Sequence, residues 1–264
     1  MLDEAQSRSG SPGAPETADP AGPAADSATG VADAATRAEA EEIRLTRVEV
    51  EFAAAERLTF FSDAVVAIAI TLLALELPVP HRGTSAEVLS WMLDRKMDYI
   101  AFFISFAVIG AHWMSHHAVF RWIRRLGGRV LRFNMIWLMI IVLLPYLTKL
   151  LTESDDDGAF IVRFGLYALA QAVSGVLFLL MVRDMWAYGL FRPGAPAKSI
   201  DGAQMRSLVM AGMFAISIPV ALLGSWSYLV WIAMPVPLRV LGGRLRGWLG
   251  AHRPSSPTPE TNVM

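Results

Sequence analysis

Apolar and polar positions along this chain fall into long blocks. Six apolar stretches, roughly 58–77, 99–119, 133–151, 160–182, 207–223 and 226–241, are separated by short polar connections. A helix needs about 20 mostly apolar residues to cross a bilayer. The pattern therefore predicts an all-α, polytopic membrane protein with six transmembrane helices. The last two stretches are short and parted only by Gly224 and Ser225, so their boundary is the least sharply drawn. Pro145, Pro219, Pro235 and Pro237 lie inside or near the ends of spans. Membrane helices tolerate such prolines, often with a kink, and Pro145 is read as a kink rather than a gate.

The first span is the most informative. Residues 57–77, RLTFFSDAVVAIAITLLALEL, are apolar enough to cross yet carry Arg57, Ser62, Asp63 and Thr71. A charge in lipid is costly and marks a functional hypothesis by default. At 100° per residue, Ile68, Thr71, Leu72 and Leu75 share one stripe, which Phe61 and Ala64 extend towards the N-terminal end. Ser62 and Asp63 sit away from that stripe. The helix thus has a mainly apolar face with one hydroxyl and a polar face confined to its first turns.

Composition adds limits. The chain has 264 residues, 54% of them hydrophobic, with a formal net charge of −1. Its mean hydropathy of +0.43 is too high for an ordinary soluble domain. It has no cysteine, which excludes disulfides, thiolate metal sites and cysteine nucleophiles. Residues 1–40 are rich in Ala, Gly, Pro, Ser and Asp, cannot bury enough apolar surface to fold, and are expected to be disordered. They lack the basic start and apolar core of a signal peptide. Residues 41–57 are charged and helix-favouring, and read as a juxtamembrane helix running into the six-helix transmembrane domain, 58–250. The Pro/Ser/Thr-rich tail, 251–264, is expected to be disordered.

Loop charge sets orientation, because Lys and Arg in short loops stay cytoplasmic. The connection between spans 2 and 3 holds Arg121, Arg124, Arg125, Arg129 and Arg132. The next basic connection holds Arg183, Arg192, Lys198 and Arg206, and the C-terminal end holds Arg239, Arg244, Arg246 and Arg253. The connection between spans 3 and 4 reads ESDDDG. With six spans, every strongly basic loop falls on the side of both termini, so a multi-pass protein of the cell (inner) membrane with both termini cytoplasmic is expected. The arginine cluster lies between two spans and has no base-stacking platform, so it is read as topological and no nucleic-acid partner is expected.

The second span ends in GAHWMSHHAVF. His112 and His116 are four apart on one helical face, with His117 beside them. Such spacing can bind zinc, but a metalloprotease also needs a glutamate base, and Trp113, Met114 and Ser115 stand between the histidines. Depth favours another reading. At 1.5 Å per residue, Asp63 lies about 9 Å in from Arg57, level with His112, His116 and Asn134. A buried carboxylate needs partners, so Arg57, Ser62, Asp63, His112, His116, His117 and Asn134 are expected to form a polar network joining spans 1, 2 and 3, with no metal. Gln171 and Ser174 in the fourth span suit interhelical hydrogen bonds, and the small residues of MAGMFAIS suit close packing. Glu76, at the outer end of span 1, fits either a cation entrance or simple interfacial exposure. Trp91, Trp137, Trp186, Trp226 and Trp248 read as an aromatic belt. No phosphate loop, cofactor fingerprint, placed nucleophile or convincing internal repeat stands out, nor does a carbonyl filter of the TVGYG kind. The chain is not read as an enzyme.

Arg57-x-x-x-Phe61-Ser62-Asp63 followed by AVVAIAITLLALEL resembles the signature of the transmembrane-protein-175 family, potassium channels of lysosomes and endosomes with shorter bacterial relatives. The resemblance runs from about Arg57 to Leu241, and Trp113, His116 and His117 match the family's Trp-x-x-His-His pattern. It implies a potassium-permeable channel without a cofactor, with potassium ions and the lipid bilayer as its partners. It also implies a homotetramer in which the first helix of each subunit lines the pore. Ile68, five residues after Asp63, resembles the main constriction, and Thr71, Leu72 and Leu75 continue the pore face. The alternative is a secondary transporter or proton pathway using Asp63 and the span-2 histidines as a relay.

Overall fold

A computed structural model of the chain describes residues 23–80, 83–153, 157–240 and 242–252. The expected disorder of residues 1–22 and 253–264 lies outside the described residues. Two compact units divide the chain, Met1–Arg47 and Val48–Met264. Helix α1 is Pro23–Leu75, so residues 23–40, expected to be disordered, are helical. Low hydrophobicity denies this stretch a core, but it does not deny it a helix. The segment is alanine-rich, and alanine has the highest helix propensity; Pro23 stands at the first helical position, where proline is favoured. In the first unit residues 34–47 are exposed, and Arg44 grips the Glu41 carboxylate with two hydrogen bonds of 2.8 and 2.9 Å.

In the second unit α1 packs one face inward. Ala55, Leu58, Thr59, Ser62, Val66, Ala69 and Leu73 are buried, a run of three- and four-residue steps that follows the helical repeat. A short helix, α2 (Ser85–Asp94), follows, started by a reciprocal capping box between Thr84 and Glu87. Hydrogen bonds from the Thr84 backbone N–H, then its hydroxyl, hold the Glu87 carboxyl below the usual carboxylate range. Three long helices come next: α3 (Lys96–Phe120), α4 (Val130–Thr152) and α5 (Phe160–Ala187), the last entered through a 3-10 turn at Asp157–Ala159. Helix α6 is Ala197–Val220.

The two basic connections are stitched together at one end. Ile123 and Phe191 form an isolated antiparallel bridge, closed by Arg124 N–H to the Leu190 carbonyl at 2.8 Å and Arg192 N–H to the Trp122 carbonyl at 2.9 Å. Asp184, buried in the last turns of α5, accepts the Arg129 backbone N–H at 2.6 Å and so anchors the start of α4. The turn before it needs glycine: Gly128 has φ +58°, and a Cβ there would lie 2.8 Å from Asp184 Oδ2 and Tyr188. At the opposite end, Glu76, just past the end of α1, pairs with Lys149 of α4 at 3.0 Å. Glu76 is therefore tied to a neighbouring helix.

Helices α5 and α6 cross closely at Gly175. A Cβ on Gly175 would come within 2.8 Å of Ala211 Cβ and 2.9 Å of the Ser207 carbonyl oxygen. Absence of a side chain brings the two backbones together, as small residues do in membranes.

The expected sixth span is not one continuous helix. Among the described residues five helices are long and apolar enough to cross a membrane, and Ser227–Val240 is shorter. After a 3-10 turn at Ala221–Trp226 with Gly224 at φ +72°, the chain forms α7 (Ser227–Ile232), α8 (Pro235–Val240) and α9 (Gly242–Ala251). Pro235 and Pro237 supply no backbone N–H and interrupt the helical ladder. The segment still runs back along α6. Trp231 Nε1 donates to Ser217 Oγ at 2.9 Å, Gly242 lies against Met205, and Gly250 lies against Asp201. From Ser217 to Asp201 is about 24 Å of helix. Trp231 also stacks on Phe164 at 4.5 Å, within a cluster that includes Tyr167 and Phe214.

Candidate functional site: the first helix and its polar supports

The buried face of α1 fixes where the rest of that helix points. Opposite it, Ile68 is 57%, Leu72 40% and Leu75 78% exposed, and Thr71 is exposed as well. The expected stripe is thus the outward face of α1 in the single chain, continuous with exposed Phe61. Thr71 donates its hydroxyl hydrogen to the Ile68 carbonyl at 2.7 Å. The oxygen lone pairs are left pointing off the helix, and the hydroxyl is an acceptor on an otherwise apolar surface. Arg57 precedes Ile68 by three turns and falls within about 20° of it on the helical wheel. It is exposed and makes no hydrogen bond or ion pair with a described residue. Arg57, expected in the polar network, instead lies on the exposed face of α1 in line with the stripe.

The other polar residues sort into three sets. Ser62, Asn134 and His116 form one, wholly buried. Ser62 donates to the Leu58 carbonyl at 2.9 Å and accepts the Asn134 amide at 2.9 Å. The Asn134 carbonyl oxygen then lies 2.9 Å from His116 Nε2, which must carry the hydrogen. Spans 1, 2 and 3 are joined in a single directional chain. The His116 ring is sandwiched between Phe120, 3.7 Å away, and Trp137, 4.6 Å away. Trp137 is accordingly buried and does not belong to an aromatic belt.

Asp63 belongs to a second set. Its carboxylate accepts Trp113 Nε1–H at 2.9 Å and lies 3.2 Å from His117 Nδ1. Ser62 and Asp63 are adjacent in sequence but, 100° apart on the helix, serve different partners. His112 stands in a third set. It hydrogen-bonds Gln171 of α5 through Nε2 at 3.0 Å, not Asp63. A turn or two further out, Ser105 Oγ lies 3.0 Å from Tyr167 Oη and 2.8 Å from Thr148 Oγ1. Each expected network residue except Arg57 therefore has a polar partner, but the sets are separate. Sequence reasoning did not pair His112 with Gln171. Similar depth along two parallel spans was the available signal, since both lie close to the midpoint of their apolar stretches.

Comparison with known proteins places these features in a family. A family model described as "Endosomal/lysosomal potassium channel TMEM175" matches residues 57–145, which begin at Arg57 and contain the stripe, the Asp63 set and the Ser62–Asn134–His116 chain. A protein named a potassium channel in Streptomyces collinus is 31% identical over 152 residues, 57% of this chain and 74% of that one. Another, from Chamaesiphon minutus, is 30% identical over 173 residues, 64% of this chain and 85% of that one. A crystal structure of a lysosomal potassium-selective channel TMEM175 homolog from Chamaesiphon minutus superposes with a TM-score of 0.58 at 25% identity, covering 73% of this chain and 98% of that chain. By sequence over most of the length of its relatives, and by fold, this chain belongs to the TMEM175 family of ion channels.

Proposed function

We propose that the chain is a potassium-selective cation channel in which α1, from each of four copies, lines a central pore through Ile68, Thr71, Leu72 and Leu75. Membership of an ion-channel family, with relatives named as potassium channels, supports the activity. The observation that carries the pore assignment is the outward face of α1. Its buried face is already committed to the subunit, so the stripe is free to meet an axis. One helix cannot enclose a pore, and copies must surround it.

The chemistry follows from the side chains. A ring of Ile68 and Leu72 offers no oxygen to replace an ion's hydration shell, so it acts as a barrier that gates by dewetting or squeezes the hydrated ion. Potassium holds its water less tightly than sodium, and a tight apolar neck costs sodium more. Thr71, its hydrogen held by the Ile68 carbonyl, offers an oxygen to a partly dehydrated cation. Asp63, His116, His117 and Asn134 hold α1 against α3 and α4 and so set the angle at which the stripe faces the axis. Potassium is the permeant ion and no cofactor takes part.

In this reading the segment Ser227–Val240 completes a sixth crossing in broken form, and both termini lie on the cytoplasmic side of the cell membrane. The bridge between the two basic connections, and the return of α9 to the start of α6, support that arrangement. The test is recording under bi-ionic potassium and sodium. Ile68→Ala widens the neck and raises unitary conductance, and Thr71→Ala lowers the preference for potassium. Unchanged currents in both, at normal expression, would move the pore to another helix.

A further inference from the structure

A cleft of about 710 Å³ opens where the last turn of α3 meets the first turns of α6 and the helix α9. Its wall carries three cations, Lys198 and Arg206 from α6 and Arg246 from α9, against one carboxylate, Asp201. Asp201 is buried and engaged in an interaction of its own. None of the three cations makes a hydrogen bond or ion pair with a described residue. Arg206 is the telling one. It is half-buried and sits where the apolar stretch of α6 begins, a position at which an unpaired guanidinium is costly. The wall is small elsewhere: Ala118, Gly202 and Gly247 leave room beside the charges. Helix α6 adds its positive end to the cleft, with no side chain capping it. The charges come from two elements far apart in sequence, so the cleft forms only when α9 has returned to the start of α6.

The geometry points to a binding site for a phosphate-bearing anion, held by Arg206 with Arg246 and Lys198 as the outer arms. The planar fork of arginine matches phosphate oxygens two at a time, and basic pockets between membrane helices on the cytoplasmic side take lipid headgroups. An anionic phospholipid and a soluble phosphate would present the same group. Occupancy would tie α9 to α3 and α6, and so brace the broken final segment against the rest of the subunit.

The full chain, purified in neutral detergent, is titrated with phosphatidylglycerol or phosphatidylcholine, and bound lipid per protomer is counted by native mass spectrometry. Retention of phosphatidylglycerol over phosphatidylcholine is expected. Each charge removed lowers retention by about fivefold, so Arg206→Gln with Arg246→Gln loses about 25-fold, while Arg244→Gln, on α9 but off the cleft wall, changes nothing. Displacement of the lipid by millimolar inorganic phosphate would keep the site and assign it to a soluble anion. Equal retention of the two lipids with no competition by phosphate, or equal retention by wild type and the double variant, would overturn the proposal. Should the double variant fail to assemble, Lys198→Gln, exposed and outside the packed core, takes its place with an expected loss of about fivefold.

Discussion

Asp63 and Ser62 show how a one-residue step on a helix separates two tasks. Ser62 is closed inside the subunit, bonded to its own helix and to Asn134. Asp63 reaches sideways to Trp113 and His117 at the edge of the subunit, with a quarter of its side chain still accessible. That placement supports the proposal that Asp63 is a packing and assembly residue. Asp63→Asn and His112→Ala should lower the yield of folded oligomer, read by size-exclusion chromatography, more than they change selectivity in what survives. Normal assembly of Asp63→Asn with an altered permeability ratio would put Asp63 in the pore. Asn134→Leu takes the hydrogen-bond partner from His116 and leaves Ser62 only the Leu58 carbonyl, and should cost about 1 kcal/mol, seen as a lower unfolding midpoint in detergent. At this scale the sequence was readable where angle and depth suffice. Periodicity separated Ile68, Thr71, Leu72 and Leu75 from Asp63, and depth brought Asp63 near the span-2 histidines. The identity of each partner was not readable, because it depends on the rotation of α3 about its own axis: His117 and Trp113 face Asp63, His116 faces Asn134 and His112 faces α5. Arg57 was misplaced for the opposite reason, its charge having outweighed its angle.

Between elements, Gly175 marks a close approach of α5 to α6. Gly175→Ala drives a methyl into the Ser207 carbonyl and Ala211; helices α5 and α6 must part, at a cost of about 1–3 kcal/mol. Thermal unfolding of the variant should show that loss, and adding Ala211→Gly should restore only part of it, since the Ser207 carbonyl is backbone and cannot be trimmed. Full recovery would mean the contact is softer than its geometry. The long helices were legible because twenty-residue apolar runs have few other fates. The final segment was not: an apolar run with Pro235, Pro237 and Gly224 has the composition of a span but lacks the unbroken N–H ladder of one. Residues 23–40 failed in the other direction, being too polar to form a core yet alanine-rich enough to form a helix.

At the scale of the whole molecule, the helical bundle of the second unit has two chemically distinct ends. Arginines crowd the end closed by the Ile123–Phe191 bridge, while Glu76 and Lys149 pair at the other. Tags inserted in the basic connections, near Gly127 and Gly194, should be accessible only from the cytoplasm, and a tag in 155–158 only from outside. External labelling near Gly127 would invert the topology and with it the assignment of both termini. Family membership was legible from the run beginning at Arg57, since the matched region starts there. The number of subunits is set by surfaces that meet only between copies, and a single chain gives no such pair. Permeation of potassium is the decisive property. Purified wild-type protein in a planar bilayer, with potassium on one side and sodium on the other, should give unitary currents whose reversal potential is displaced towards the potassium equilibrium potential, with no second ion required. A reversal potential at zero, or transport that appears only when proton flux is allowed, would contradict it.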